Sequence, residues 1–494
     1  MACVPLTVSA ARQRASRHGR VRAWVLIGVH LLIAAHIAHW VLAGRTVAPA
    51  ELNESMYTLE QGAITVGAIL TALILLSVLV FGRFFCSWGC HVLALQDLSA
   101  WLLERVGIRP KPMRSRLAPL VAIVAALSMF LWPQVERLAA GSAWPGLRVT
   151  TDAEGFGSLM TDDFLRNLPG PWVTLATFLI CGGALVWMLG TRSFCRMICP
   201  YGALFSLTDR FSLGGIRLRG DCDSCGLCTA ACTSQIRVHE EIARHGRVVS
   251  PNCLKDLDCV KSCPREALAW GLGAPSLLRS IGEAARMRGA WSIGNEIVLL
   301  VVAALCTLIF RSLYGEIPFF LAMALGVLFG WIAVTSLRML REGNVRACQL
   351  QLRLHGRTTH AGVAWLCAAA LLAVATVHCG WIRVHEQLGR AAWAACLSQE
   401  DAVAANESAS RAVEHLELVE RYGAWNPPYI DRMLADVHLR TARPERALRH
   451  VKRMTVRWPD DRSRWAQLAN TLAAMGDVDG AARVASAHQL GRNP

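Results

Sequence analysis

The chain has 494 residues, of which 54% are hydrophobic and only 18% are charged. This balance excludes a disordered chain and disfavours an ordinary soluble multidomain protein, because so much apolar surface has to be buried. A net charge of +15 is found in many nucleic-acid-binding proteins, but the location of the charge decides its meaning. The 18 cysteines are clustered, which favours metal ligation over a disulfide framework.

Seven apolar segments are candidates to cross a lipid bilayer, which takes about 20 residues of helix. They cover residues 21–43, 62–82, 117–132, 172–190, 295–310, 317–340 and 361–382. The third and the fifth are shorter than the others. The first is not a cleaved signal peptide, because its apolar stretch is too long and no small-residue cleavage site follows it. The sequence therefore predicts an α-helical polytopic membrane protein with about seven spans.

The loops between these segments predict the orientation in the membrane, because Lys and Arg are retained on the cytoplasmic side. Basic residues are concentrated in residues 12–22, 83–116, 192–219 and 338–357, whereas the alternate loops carry only Arg45, then Arg137, Arg148 and Arg166, then Arg311. We therefore expect a bacterial inner-membrane protein whose N-terminus is cytoplasmic and whose tail after residue 382 is periplasmic. The same pattern accounts for most of the net charge, so no nucleic-acid partner is predicted.

A cysteine-rich segment, residues 220–273, carries the most specific motif. Cys222, Cys225, Cys228 and Cys232 form a C-x2-C-x2-C-x3-C pattern, and Cys253, Cys259 and Cys263 follow it. In two-cluster ferredoxins three closely spaced thiolates bind one cluster, and the fourth, remote cysteine binds the other. We predict that Cys222, Cys225, Cys228 and Cys263 bind one iron–sulfur cluster, and that Cys232, Cys253 and Cys259 bind a second. Zinc is disfavoured because it takes four ligands, usually as two separated pairs.

Asp256 stands where the second motif is expected to carry its middle cysteine. A carboxylate is a harder and weaker ligand for iron than a thiolate. Two interpretations stay open: a 4Fe-4S cluster with Asp256 or water on one iron, and a 3Fe-4S cluster that lacks this iron. Asp256 is therefore a candidate cofactor-binding residue beside the seven cysteines.

Two further cysteine pairs, Cys86 with Cys90 and Cys195 with Cys199, each follow a predicted span. Their contexts are alike, RFFC followed by HVLAL and RSFC followed by PYGAL, which indicates an internal duplication. Residues i and i+4 share a face if the segment is helical, so the four thiols are expected to converge where two spans end. They are candidate catalytic redox thiols or a metal-binding site, and the alternative is that they are small packing residues.

These motifs resemble the membrane polyferredoxins, a family that includes the nitrous-oxide-reductase regulator, the quinol dehydrogenase subunit of periplasmic nitrate reduction and the cytochrome-oxidase maturation ferredoxin. The resemblance rests on the two related cysteine pairs and the two cluster motifs, and it covers roughly residues 83–272. It implies electron transfer between the quinone pool or a cytoplasmic donor and a partner at or beyond the membrane. His91 in place of the proline after Cys199, and Asp256 in place of a cysteine, depart from the family pattern.

Histidines within the predicted spans are a further candidate feature, because an imidazole in hydrocarbon is costly. His30, His36 and His39 lie on the first span, and His378 lies near the end of the seventh. Ligation of haem b and hydrogen bonding to a quinone are two interpretations. The interpretation that we favour is that His36 and His39 meet water at the membrane interface.

The tail after residue 382 is rich in alanine and has a repeating pattern. Leu434-Ala435 recurs as Leu468-Ala469, and Ala447 recurs as Ala481, both at a distance of 34 residues. This period resembles that of tetratricopeptide repeats, with residues 402–422 as a degenerate third unit. Such repeats bind a partner protein, so a protein client is predicted for the tail, and the alternative is a simple helical bundle.

Together these features predict four domains. Residues 1–190 form a membrane region with four spans, and residues 191–290 form a cytoplasmic segment with an α+β domain like a two-cluster ferredoxin. Residues 291–382 form a second membrane region with three spans, and residues 383–494 form a helical repeat domain. We expect an iron–sulfur electron carrier, with quinol dehydrogenase or metal reductase activity left open. The alternative is a maturation or assembly factor for a respiratory metalloenzyme.

Overall fold

The structure, a computed structural model, describes residues 5–108, 110, 113, 115–150, 158–277, 291–459 and 461–488, and it describes residues 5–16 by their backbone alone. Arg109, Lys111 and Arg114 of the second basic segment lie outside the described residues. The chain divides into two compact units, Met1–Thr307 with Phe320–Leu366 and Leu308–Phe319 with Cys367–Pro494. The division into four domains stays a prediction.

Six helices among the described residues are long and apolar enough to cross a membrane. They are Arg17–Ala43, which is the apolar part of a helix that begins at Pro5, and Pro119–Ala139, Pro171–Leu189, Ile293–Phe310, Phe319–Arg341 and His360–Ser398. Two of them contain a π-helical turn, at Leu127–Leu131 and at Leu179–Ala184. The predicted polytopic helical character is therefore confirmed.

The predicted count of seven spans differs from these six, because the second predicted span is a shorter helix, Val66–Phe81, of 16 residues. Thr65 caps its start by accepting a hydrogen bond from the Ala68 N–H at 3.0 Å, and Gly82, with φ of +79°, ends it. At 1.5 Å per residue this helix is about 24 Å long, less than the roughly 30 Å of a bilayer core.

This short helix nevertheless joins the same two ends of the first unit as the longer helix Arg17–Ala43. At one end, strand Thr46–Val47 pairs with strand Met160–Thr161, and Ala63 bridges to Arg148. At the other end, the Leu79 carbonyl accepts a hydrogen bond from the Leu213 N–H at 2.9 Å. Helix Arg17–Ala43 also runs between these ends, since Trp40 bonds to the Asp162 carbonyl and Arg22 bonds to Asp258.

The cysteine-rich segment forms a small α+β insert. Its strands Gly214–Leu218 and Leu268–Leu272 pair antiparallel, with Ile216 opposite Trp270. Between them lie the short helices Leu227–Ala231, Val238–His245 and Asp258–Lys261. The apolar core of the insert includes Ile216, Val238, Ile242 and Leu268, together with five of the seven cysteines of the cluster motifs, Cys228, Cys232, Cys253, Cys259 and Cys263. Its identification as a two-cluster ferredoxin domain stays a prediction.

The rest of the first unit consists of short helices and one small sheet. The helices are Ser55–Gln61, Phe84–Trp88, His91–Arg105, Ser193–Met197 and Pro200–Asp209. Strands Val345–Ala347, Leu350–Leu354 and Arg357–Thr358 form an antiparallel sheet before the last long helix. Helices Ile293–Phe310 and Phe319–Arg341 approach closely at Gly326 and Gly330, where an added Cβ would lie 2.5 Å from the Ala303 carbonyl and 2.7 Å from the Leu299 carbonyl.

The second unit is helical. After the long helix ending at Ser398 come the helices Ala402–Tyr422, Pro428–Arg440, Pro444–Arg457, Arg462–Ala474 and Val478–Ala487. The last four form two helical pairs whose first residues, Pro428 and Arg462 and then Pro444 and Val478, are 34 positions apart. Their core includes Ala435, Val451, Met454 and Leu468. The assignment of these pairs as tetratricopeptide repeats stays a prediction.

Candidate functional site

The first predicted cysteine set lines one pocket at the surface of the insert. Cys222, Cys225, Cys228 and Cys263 all face this pocket, together with His239 and Arg265. Cys222 is exposed, Cys225 and Cys263 are half-buried, and Cys228 is buried. The N–H of Cys225 donates to Asp223 Oδ1 at 3.3 Å, which holds the loop between the first two cysteines. A cluster held at this pocket would have one face open to a partner molecule.

The second predicted set, Cys232, Cys253 and Cys259, lies deeper in the insert. Cys253 and Cys259 are buried and Cys232 is half-buried. The Cys259 thiol lies close enough to Cys253, Cys232 and Cys228 for charge on these residues to oppose its ionisation. Because Cys228 belongs to the first set, the two sets are neighbours inside one apolar core.

The buried thiols of Cys228 and Cys232 are neutral at pH 7 unless a metal displaces their protons. Burial raises the pKa of Cys228 to about 11 and the pKa of Cys232 to about 12. Iron binds the thiolate, so metal binding has to release protons that neutral pH alone does not remove. These cysteines are therefore poor free nucleophiles and suitable permanent ligands.

The Asp256 carboxylate is held by other groups. Its Oδ2 pairs with Arg192 Nη1 and accepts a hydrogen bond from Thr233 Oγ1 at 2.9 Å, and its Oδ1 accepts from the Asp258 N–H at 3.2 Å. Burial alone would raise the pKa of Asp256, but the charges of Arg192 and Arg22 outweigh burial and hold the pKa below its ordinary value. Asp256 is therefore an ionised partner of a buried arginine in this structure.

This ion pair belongs to a network that joins the insert to the membrane helices. Arg22 pairs with Asp258 at 3.0 Å and with Asp97 at 2.9 Å, and Arg192 also reaches Asp97 at 3.5 Å. A second buried pair, Lys255 with Asp209 at 3.0 Å, lies on the same side of the insert. Buried charges are tolerated only when they are paired, so this network fixes how the insert sits on the helices.

Arg196 is a buried cation beside the second set. It is only 8% exposed, and its Nε and Nη1 have no hydrogen-bond partner among the described residues. Burial lowers the pKa of Arg196 to about 10, and the nearby Cys232 opposes this shift. An unpaired buried guanidinium costs free energy, so a negatively charged group at Cys232 would stabilise it.

The two cysteine pairs converge, although not through a continuous helix as the sequence interpretation assumed. Cys86 lies in the short helix Phe84–Trp88, and Cys90 caps the start of helix His91–Arg105. Cys195 and Cys199 occupy the same positions in Ser193–Met197 and before Pro200–Asp209. The predicted duplication thus appears as two copies of one local fold, and all four cysteines belong to one apolar core.

The insert touches this four-cysteine core directly. Ser87 Oγ donates to the Leu254 carbonyl at 2.7 Å, and Arg83 Nη1 donates to the Pro251 carbonyl at 2.8 Å. Leu254 follows Cys253 of the second set, and its side chain packs in the same core as Cys86 and Cys195. The second set and the four-cysteine core are therefore separated by a single layer of residues.

The histidines named from the sequence make hydrogen bonds within their own surroundings. Nε2 of His36 and Nδ1 of His39 lie 3.1 and 2.9 Å from Thr46 Oγ1, and Nδ1 of His30 lies 2.7 Å from the Leu26 carbonyl. Nε2 of His378 lies 3.2 Å from the Tyr422 carbonyl. Haem and quinone binding at these residues stay predictions.

A family model described as a 4Fe-4S binding domain matches residues 63–109 and 172–219, the two segments that carry the cysteine pairs. The chain is 29% identical to methylamine utilization ferredoxin-type protein MauN of Paracoccus denitrificans over 256 residues, which are 46% of this chain and 82% of that protein. It is 27% identical to ferredoxin-type protein NapH of Haemophilus influenzae, over 40% of this chain and 66% of that protein. No solved structure matches it significantly.

The resemblance of this chain to the membrane polyferredoxins is therefore confirmed by its similarity to ferredoxin-type proteins. A further relative, the putative electron transport protein YccM of Escherichia coli, is 26% identical over 50% of this chain and 65% of that protein. These similarities support an iron–sulfur electron-transfer role with 4Fe-4S clusters, and the six long apolar helices agree with a membrane protein. The matched relatives cover half of the chain or less.

Sequence reasoning missed the buried arginines of this polyferredoxin-like protein. Arg83 and Arg192 precede the two cysteine pairs at equivalent places in the duplicated motif. A basic residue repeated three positions before a cysteine was the available signal, but both arginines were counted as orientation signals. In the structure Arg83 is 2% exposed and Arg192 is fully buried.

Replacing Arg192 with leucine should destabilise the protein, because Asp256 would lose its closest positive partner. Breaking a buried ion pair in this way costs about 3–5 kcal/mol. Arg265→Leu is the matched control, since Arg265 pairs with Asp223 at the exposed surface of the insert, and it should change stability little. Titration with SDS in detergent micelles measures both. Equal stability of the two variants would contradict the role of the buried network.

Proposed function

We propose that this protein carries electrons between a quinol or a cytoplasmic donor and a membrane or periplasmic redox partner, through clusters held by the two cysteine sets of the insert. The observation that carries the proposal is the direct contact of the second set with the segment that follows helix Val66–Phe81, through the Ser87 bond to Leu254 and the Arg83 bond to Pro251. The first set lies at the outer surface of the insert, so the two sets form a path from that surface towards the membrane.

In this proposal the insert is cytoplasmic and the helical tail is periplasmic, in a bacterial inner membrane. The short helix Val66–Phe81 crosses the membrane in this arrangement, because only then do the basic loops share one side. Its two ends contact the same two end regions as helix Arg17–Ala43, which supports a crossing. Local thinning of the bilayer accommodates a short span at modest cost.

We propose further that the second cluster is a 3Fe-4S cluster held by Cys232, Cys253 and Cys259. Asp256 has the position of a fourth ligand in the motif, but both of its oxygens are engaged, with Arg192, Thr233 and a backbone N–H. Rotating the carboxylate towards iron would leave Arg192 without its closest partner. Asp256 is thus a positioning residue that fixes Arg192 beside the second set.

Replacing Asp256 tests this ligand assignment. Asp256→Cys supplies a fourth thiolate and should convert the paramagnetic signal of an oxidised three-iron cluster into that of a reduced four-iron cluster. Asp256→Asn keeps the size of the side chain and should leave the three-iron signal in place. Low-temperature electron paramagnetic resonance on anaerobically purified protein measures both variants. A wild-type spectrum with four-iron signals alone would contradict the three-iron cluster. Loss of the second signal in Asp256→Asn would show that Asp256 is a ligand.

Reduction by a quinol tests the direction of the path. With the protein in liposomes, duroquinol should reduce the first cluster in the wild type. In Cys253→Ala it should do so at least about tenfold more slowly, because the intermediate cluster is lost. Dithionite should reduce the first cluster equally in both proteins, since the first set is exposed. If duroquinol reduces no cluster in the wild type, the proposal of a quinol donor is wrong and a cytoplasmic donor remains.

The assembly-factor alternative, with a protein client on the tail, stays a prediction.

A further inference from the structure

The four-cysteine core lies outside the insert and is not used by the two predicted cluster sets. Cys86 and Cys195 are buried, Cys90 and Cys199 are half-buried, and none of the four forms a disulfide. They share a core with Leu93, Phe205 and Leu254. The Cys195 thiol lies close enough to Cys90, Cys199 and Cys86 for all three to oppose its ionisation. Four thiols at one buried place require an explanation beyond packing.

The donors around this core point to an anionic occupant. Arg83 lies beside Cys86 and Cys195, and its Nε and Nη2 have no hydrogen-bond partner among the described residues. The hydroxyl of Tyr201, a residue 4% exposed and close to Cys199, has the Ser55 side chain nearby but makes no hydrogen bond of normal geometry among these residues. An unsatisfied buried donor costs free energy, and a charged one costs more. An occupant with negative charge and acceptor atoms would satisfy both donors.

An iron–sulfur cluster has the chemistry that these residues fit. Its thiolates and inorganic sulfides accept N–H and O–H hydrogen bonds, and it carries net negative charge, which a buried guanidinium stabilises. Neither matched segment can supply four cysteine ligands, since the first carries two cysteines and the second carries three, of which Cys181 lies outside the core. Because the two pairs converge, each copy of the duplicated fold can supply two of the four ligands.

We propose that Cys86, Cys90, Cys195 and Cys199 together hold one 4Fe-4S cluster, shared between the two duplicated segments, with Arg83 and Tyr201 as hydrogen-bond donors to it. The proposal rests on the proposed function, to which it adds a third centre on the membrane side of the insert. One electron passes between this cluster and the second cluster of the insert, so that one is oxidised as the other is reduced. No proton and no further reactant take part in this step.

The contacts of Arg83 support the placement of the shared cluster next to the second cluster of the insert. Its backbone N–H donates to Asp209 at 3.1 Å, its Nη1 donates to the Pro251 carbonyl, and its remaining edge faces the thiols. Pro251 lies two residues before Cys253 of the second set. Arg83 therefore spans the layer that separates the two proposed clusters.

The test compares metal content in full-length protein purified without oxygen. The double variant Cys90→Ser with Cys199→Ser should lose about four iron atoms and about four sulfides per chain, while the signals of the insert remain. Cys181→Ala is the matched control, because it removes a buried thiol of a membrane helix outside the core, and it should lose none. Unchanged iron in the double variant would overturn the proposal, and so would one zinc per chain or a disulfide in the wild type.

Tyr201→Phe tests the site without touching a ligand. It should keep the full iron content and lower the midpoint potential of the third signal alone, because a donor that stabilises the reduced cluster is removed. A potential shift confined to the insert signals would contradict the placement of the cluster. Wild-type protein with iron only in the insert would refute the shared cluster and leave the proposed function intact, whereas iron-free wild-type protein would refute the proposed function itself.

Discussion

The structure of the first unit depends on one constraint, that its buried positive charges beside cysteine sulfur have to be compensated. Arg83, Arg192 and Arg196 are all almost fully buried, and a guanidinium in such a place has to find negative charge. Arg192 finds it in Asp256 and Asp97. Arg83 lies beside Asp209 and the Cys86 and Cys195 thiols, and Arg196 lies beside Cys232, whose thiol burial keeps protonated in the absence of metal. Thiolates at these places would add to the compensation of both arginines, which couples the stability of the unit to cluster assembly.

This constraint also explains how two copies of one local fold came to have different roles. In each copy an arginine precedes a five-residue helix that carries the first cysteine, and the second cysteine caps the next helix. Arg83 of the first copy faces the shared thiols, whereas Arg192 of the second copy faces the carboxylates next to the second cluster motif. One copy thus serves the four-cysteine core, and the other serves the junction with the insert.

Much of the fold and of the site could be predicted from the sequence, because the signals are local. The cluster motifs and the two cysteine pairs are fixed spacings, and the long spans are continuous apolar runs. The short helix Val66–Phe81 was overestimated because apolar residues continue past the point where Thr65 and Gly82 end it. The partners of Asp256 could not be found this way, since Arg192 is 64 residues away in the chain. Long-range charge pairing leaves no periodic pattern in a single sequence.

The central claim is that the cysteine sets of this polyferredoxin-like protein hold iron and inorganic sulfide. Iron and sulfide analysis of the wild-type chain, purified and kept without oxygen, tests it most directly. The account predicts brown protein with about seven iron atoms in the insert alone and about eleven with the shared cluster. Colourless protein without iron or acid-labile sulfide, prepared under the same conditions, would contradict the account.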